Sequence, residues 1–194
     1  MGASLHRADG SATYSADGYT AVAAVNGPLE VQRRDELPEE AAIEVNIRPA
    51  IGVGSTRERH LESLIQSTLK SVVLTKNFPR TLIQITVQMI NTPDQTSMRI
   101  PGLSSTSYLP GLPVLLQASL LALISGAIPL ETTYAAIAKR LSASYHVFVF
   151  SGENQLLLAE SEGDFSFKDW QCISEEAKHE CITMIQAMRS SLGE

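Results

Sequence analysis

The chain has 194 residues, 44% of them hydrophobic and 19% charged, which is enough apolar material for a sizeable core and makes one domain the default. A formal charge of −6 and a pI of about 5.3 exclude a globally basic nucleic-acid binder, so any RNA contact must come from a local patch. The two cysteines, Cys172 and Cys181, form neither a CxxC pair nor a disulfide framework, which fits a reducing compartment.

The N-terminal MGASLHRADG lacks the apolar core of a secretion signal, and His6 stands where a myristoylation signal needs Ser or Thr. Ser11 to Ala16 and Thr20 to Asn26 are short strand candidates around Asp17-Gly18, a strong hairpin signal, and Gly27-Pro28 is expected to end the second. The polar segment Glu30 to Glu40, with Arg33-Arg34 and Pro38, reads as a loop. Ala42 to Arg48 alternates Ile43, Val45 and Ile47 with Glu44, Asn46 and Arg48, the pattern of a half-buried strand.

A tight loop with Gly52 and Gly54 then leads into a helix over Ser55 to about Lys76. Ser55 and Glu58 fit a capping box, and Leu61, Leu64, Ile65, Leu69, Val72 and Val73 form its apolar face. Arg57 and Arg59 sit in the first turn. Cations are disfavoured at a helix N-terminus, so their placement there suggests charge arranged to meet something negative. Thr81 to Ile90, rich in β-branched residues, reads as a strand. Asn91 to Gly111, with three prolines and many Ser and Thr, reads as a long loop. Leu112 to Ile124 is apolar nearly all round and reads as a buried central helix with Pro113 in its first turn. The apolar run to Ile128 is too short to span a bilayer comfortably, so no membrane is expected as a partner.

Tyr145 to Phe150 and Gln155 to Glu160 read as a hairpin about Ser151-Gly152-Glu153-Asn154. A last helix starts near Ser166 or Phe167, with Trp170, Ile173, Ala177, Met184, Ile185 and Met188 on its apolar face. The acidic stretch Glu160 to Asp164 lacks the ligand rhythm of a calcium loop and reads as a turn capping that helix. The order of elements gives an α+β domain of mixed sheets with packed helices.

Few motifs carry chemistry. The Gly52-Val53-Gly54-Ser55-Thr56-Arg57 loop lacks the third glycine of a dinucleotide fingerprint and the lysine of a P-loop, leaving a weak nucleotide signal beside a plain strand-to-helix turn. His6, His60, His146 and His179 show no ligand spacing and read as surface or satisfied structural residues, so no metal is expected. No GxSxG elbow supports a serine nucleophile. Arg7, Arg33, Arg34, Arg48, Arg57, Arg59, Lys76 and Arg80 all fall in the first 80 residues, a concentration hard to dismiss in an acidic protein.

These residues resemble a family. HRADGSATYSADGYTAVAAVNGP resembles the opening of RNase PH-like domains. GPLEVQRRDELP, IEVNIRPAIGVGSTRER, FPRTLIQITVQM and LLLAESEGDFS resemble RNase PH-like ring subunits of the eukaryotic RNA exosome in particular. The likeness covers most of residues 5–192 and is weakest over Asn91–Gly111 and near Ala135–Ser144. It implies the ribosomal protein S5 domain 2-like fold, a single domain over 1–194, pairing with another RNase PH-like subunit, and a six-membered ring. In phosphorolytic members an arginine at the start of the first long helix serves the active site, and Arg57 matches it. A second arginine holds phosphate in the turn before the central helix. Here that turn is Pro110-Gly111-Leu112 and has none. Ala143 and Ser144 occupy the later of the catalytic acid positions. The hairpin the family usually carries between Ala136 and Ser142 is nearly absent, and the 91–111 loop is longer than the family pattern.

The resemblance therefore implies a non-catalytic ring subunit of the exosome core, without cofactor. Its implied partners are other RNase PH-like subunits, S1/KH-domain cap subunits and RNA, in the nucleus, the nucleolus and also the cytoplasm. Arg57 and Arg59, with Arg33, Arg34 and Arg80 as weaker candidates, are expected to form a local RNA-facing patch. Two alternatives stay open: an active phosphate-dependent 3′-to-5′ exoribonuclease with a site shared across a dimer, and a nucleotide-binding enzyme using the Gly52–Gly54 loop.

Overall fold

A computed structural model describes residues 5–34, 36–93, 107, 109–141 and 143–192. Its contacts divide the chain into two compact units, residues 1–92 with 114–131 and residues 93–113 with 132–194. The mixture of strands and helices is the α+β class expected.

The first unit is built on a four-stranded sheet of β1 (Gly10–Ala16), β2 (Tyr19–Glu30), β3 (Ala42–Arg48) and β4 (Thr81–Asn91), in the order β1-β2-β4-β3. β3 and β4 run parallel and the other pairs antiparallel, so the sheet is mixed. Strand alternation sends Ala21, Ala23, Val25, Ile43, Val45, Ile47, Ile83, Ile85 and Val87 to one buried face. Helix α1 (Thr56–Lys70) buries Leu61, Ile65 and Leu69, and it grips β3 at two backbone points. Glu62 Oε1 accepts from Ile47 N at 2.8 Å, and Gln66 Nε2 donates to the Ile43 carbonyl at 2.6 Å. Helix α2 (Leu112–Ser125) begins in the second unit and runs on into the first. Within the first unit β1 and α2 meet at Gly10, where a Cβ would lie 2.4 Å from the Ala122 carbonyl oxygen.

Two boundaries differ from expectation. β2 continues through Gly27-Pro28 to Glu30 rather than ending there. A register shift between Asn26 and Leu29 carries the proline, which has no N–H, past the ladder, after which Leu29 pairs with Leu82. α1 stops at Lys70, with Ser71 as its C-cap. Val72 and Val73 follow the helix and are buried outside it. Val73 bridges to Leu130, and Glu131 N donates to the Val72 carbonyl at 2.8 Å.

The second unit is an antiparallel sheet of β5 (Tyr134–Arg140), β6 (Ser144–Ser151) and β7 (Leu156–Gly163) in that order, with α3 (Phe167–Leu192) on one face. The core joins Ala135, Phe148 and Phe150 to Ile173, Ala177, Cys181 and Ile185, with Trp170, Met184 and Met188 partly buried against it. β6 is buried along its whole length. β5 comes from the alanine-rich TTYAAIAKR, where no strand was expected, and it pairs with β6 from Tyr134–Ser151 to Arg140–Tyr145. α3 is capped by Ser166 and Asp169 rather than by the acidic stretch before them. Among the described residues no helix is long and apolar enough to cross a membrane. Of the long loop expected over 91–111, residues 94–106 and 108 lie outside the described residues.

Candidate nucleic-acid interface

Arg57 and Arg59 project from the first turn of α1, and both are exposed. The turn forms because Ser55 and Glu58 complete the expected capping box. Ser55 Oγ accepts from Arg57 N at 3.3 Å, and Glu58 Oε2 takes both the Ser55 N–H and its hydroxyl at 2.6 Å. The hydroxyl bond from Ser55 holds the Glu58 carboxyl below its usual range, with the Arg57 charge contributing least. Ser55 is thus used to build the helix start and is not left for a phosphate or a metal, which weakens the nucleotide-binding alternative.

The loop before this turn presents Ile51 and Val53 to solvent at 91% and 93% exposure. Gly52 between them has φ +88, and a Cβ on it would meet nothing within 4 Å. Exposed Arg48 ends β3 before this loop and exposed Arg57 and Arg59 follow it, so the segment 48–59 carries three exposed arginines and two exposed aliphatic side chains. Sequence reasoning found the arginines and missed the aliphatic tip, although a β-branched pair flanking Gly52 was a readable signal.

The five candidate arginines do not form one patch. β3 and β4 are parallel, with Ala42 beside Leu82 and Arg48 beside Gln88. Arg80 precedes β4, and Arg57 and Arg59 follow β3, so the two groups lie at opposite ends of the sheet. The six residue steps between those register pairs span about 20 Å. Arg80 is also engaged: its Nε lies 3.3 Å from Glu36 Oε1, and its N–H donates to the Leu37 carbonyl at 3.1 Å. It is tied to the loop that carries Arg33 and Arg34, both exposed. The expectation of a single patch is corrected to two separate basic corners, one around Arg57 and Arg59 and the other around Arg80.

In the second unit lie Gly111 and Ser144, the positions that the resemblance matches to a second arginine and an acid. Gly111 is buried in a short 3-10 turn, Leu109–Gly111. Ser144 is fully buried, and its Oγ lies 2.9 Å from His146 Nε2. The other ring nitrogen, Nδ1, lies 2.8 Å from Ser161 Oγ. Phe165 closes the edge of the imidazole at 4.7 Å between centroids. Burial pushes the His146 pKa down, so the ring is held neutral between two hydroxyls. Gly163 faces Ser144 across β6 and β7 with φ +113, and a Cβ there would lie 2.3 Å from the Ala143 carbonyl oxygen. The cross-strand carboxylate one position away, Glu162, pairs with Tyr145 on the opposite face of the sheet and accepts from Ser107 Oγ at 2.6 Å. No acid therefore stands at Ser144. His146 is the satisfied structural histidine that its strand context suggested.

Three comparisons bear on this arrangement. The sequence profile of the 3′ exoribonuclease family, domain 1, matches residues 1–129. The exosome complex component RRP46 of Saccharomyces cerevisiae is 28% identical over 210 aligned residues, covering 95% of this chain and 90% of the yeast protein. The exosome complex exonuclease RRP46 homolog of Oryza sativa subsp. japonica is 35% identical over 86 residues, 44% of this chain and 36% of that protein. The crystal structure of rice Rrp46 superposes with a TM-score of 0.79 at 25% identity, over 97% of this chain and 91% of that one.

Proposed function

We propose that this chain, which belongs to the 3′ exoribonuclease (RNase PH) family, serves as a non-catalytic subunit of an RNA exosome core. The names of its relatives as exosome components support membership of that assembly. The observation that carries the non-catalytic part is the Ser144–His146 pair. Phosphorolysis requires inorganic phosphate to be held beside the terminal phosphodiester, cationic groups to balance the developing charge, and an acid near the leaving oxygen. This chain keeps Arg57. At the acid position it has a buried hydroxyl already bonded to a neutral imidazole.

The subunit's role is then architectural: completing a ring with other RNase PH-like chains beneath S1/KH-domain caps, and offering Arg57 and Arg59 to the RNA that passes. The loop that leads into those arginines exposes Ile51 and Val53, which supports contact with another molecule there. The proposal extends to residence in nucleus, nucleolus and cytoplasm, which imaging of a tagged chain tests. The experiment that tests the non-catalytic reading is phosphate-dependent release of nucleoside diphosphates from a single-stranded RNA. The pure chain is expected to release none, and release that vanishes with Arg57→Ala would establish the active alternative.

A further inference from the structure

The start of α3 carries an aromatic step that the ring reading does not use. Phe167, the first residue of the helix, is 74% exposed. Its ring stacks on Trp170 at 6.2 Å between centroids and 15° between planes. Trp170 in turn packs on the buried ring of Phe148 at 5.6 Å. The outer ring is thus anchored to the core through the inner one while most of its surface is open to solvent. An exposed phenylalanine held in this way is pre-ordered and loses little entropy when something stacks on it.

Charge selects the occupant. From Asp164 to Glu176 the sequence has four carboxylates, at Asp164, Asp169, Glu175 and Glu176, against the single Lys168. Asp164, Asp169, Glu175 and Glu176 are exposed. A stretch of this sign repels nucleic-acid phosphates and a second copy of this acidic chain, and it attracts cations. A planar guanidinium satisfies both features, because it stacks on an aromatic face and pairs with carboxylates in the same pose. We propose that the Phe167–Trp170 step is a docking surface for an arginine-bearing segment of a partner protein. The proposal does not depend on the exosome assignment.

Trp170 is the only tryptophan in the chain, so its emission reports on the step directly. The full chain is titrated at low salt with a ten-residue peptide alternating arginine and glycine. Parallel titrations use the same peptide with glutamate for arginine, and oligouridylate. The expected result is a saturable change in Trp170 emission with the arginine peptide alone. Phe167→Ala should raise the half-saturating concentration at least tenfold. Phe167→Leu keeps an apolar contact with Trp170 but removes the π face, and it should show the same loss, which separates stacking from a folding defect. Asp164→Asn with Glu175→Gln should weaken the salt dependence. The proposal is overturned by no response, or by a response undiminished in Phe167→Leu. It is equally overturned by a Phe167-dependent response to oligouridylate, or by emission that changes on dilution without peptide, which would identify a second copy as the occupant.

Discussion

The Ser144 hydroxyl oxygen lies 2.9 Å from Nε2 of His146, and neither residue is exposed at all. A hydroxyl in this position is satisfied by the fold itself, on the same strand face and two residues away. An acid placed here would be a buried charge against a neutral imidazole. Ser144→Asp is therefore expected to destabilise the chain by about 2–4 kcal/mol without creating phosphorolysis. A denaturation curve and a nucleoside-diphosphate assay on the same sample check both halves. A stable, active Ser144→Asp protein would mean that the site lacks only its acid.

Acid should loosen the second unit through His146. The folded pKa is depressed by burial, so the unfolded chain takes up the proton first as pH falls. The stability from the neutral ring is fully present above the ordinary histidine range, around 6.5. It is lost progressively as pH drops below that value toward the folded pKa. In register Lys139 of β5 and Ser161 of β7 flank His146, with the Lys139 ammonium paired to Glu180. The urea midpoint should fall between pH 7.5 and pH 5, and His146→Gln should flatten that slope.

The two basic corners should separate in their effects on RNA. In an assembled complex, charge reversal of Arg57 and Arg59 should weaken binding of single-stranded RNA and lower the salt slope by about 0.7 for each phosphate no longer neutralised. Arg80→Ala should leave RNA binding unchanged, because that side chain pairs with Glu36. Its cost should appear in stability alone, at about 1 kcal/mol or less for so exposed a pair. If the double reversal blocks assembly instead, Arg57 and Arg59 belong to a subunit interface.

Gly10→Ala tests the packing of the first unit. The added Cβ would lie 2.4 Å from both the Ala122 carbonyl oxygen and the Gly126 nitrogen, and these are backbone atoms that no rotamer change can move. Forcing β1 and α2 apart should cost about 1–3 kcal/mol, read as a lowered melting temperature. Gly54→Ala, with nothing within 4 Å of its added carbon, is the matched control and should change little.

The features legible in the sequence were those with local causes. The Asp17-Gly18 hairpin, the alternation of β3 and the Ser55–Glu58 capping box are decided within a few residues, and each is present as read. β5 escaped because Ala135, Ala136 and Ala138 carry little strand preference, and pairing with the buried β6 overrides it. The extension of β2 past Pro28 escaped because the register shift that permits it is set by β4. The site divides in the same way. Arg57 and Arg59 could be placed from their own helix start. The separation of Arg80, Arg33 and Arg34 from them follows from a parallel strand pairing that spans some forty residues of sequence and leaves no local signature. The Ser144–His146 contact was readable as an i, i+2 pair on one strand face, whereas Ser161 required the β6–β7 register.

Mass spectrometry of the native assembly recovered through a tag on this chain tests the central claim most directly. The expected result is a complex in which one copy of this chain sits with other RNase PH-like proteins and S1-domain proteins at equal stoichiometry. Recovery of the chain alone, or as a ring of its own copies that releases nucleoside diphosphates from RNA in phosphate, would contradict it.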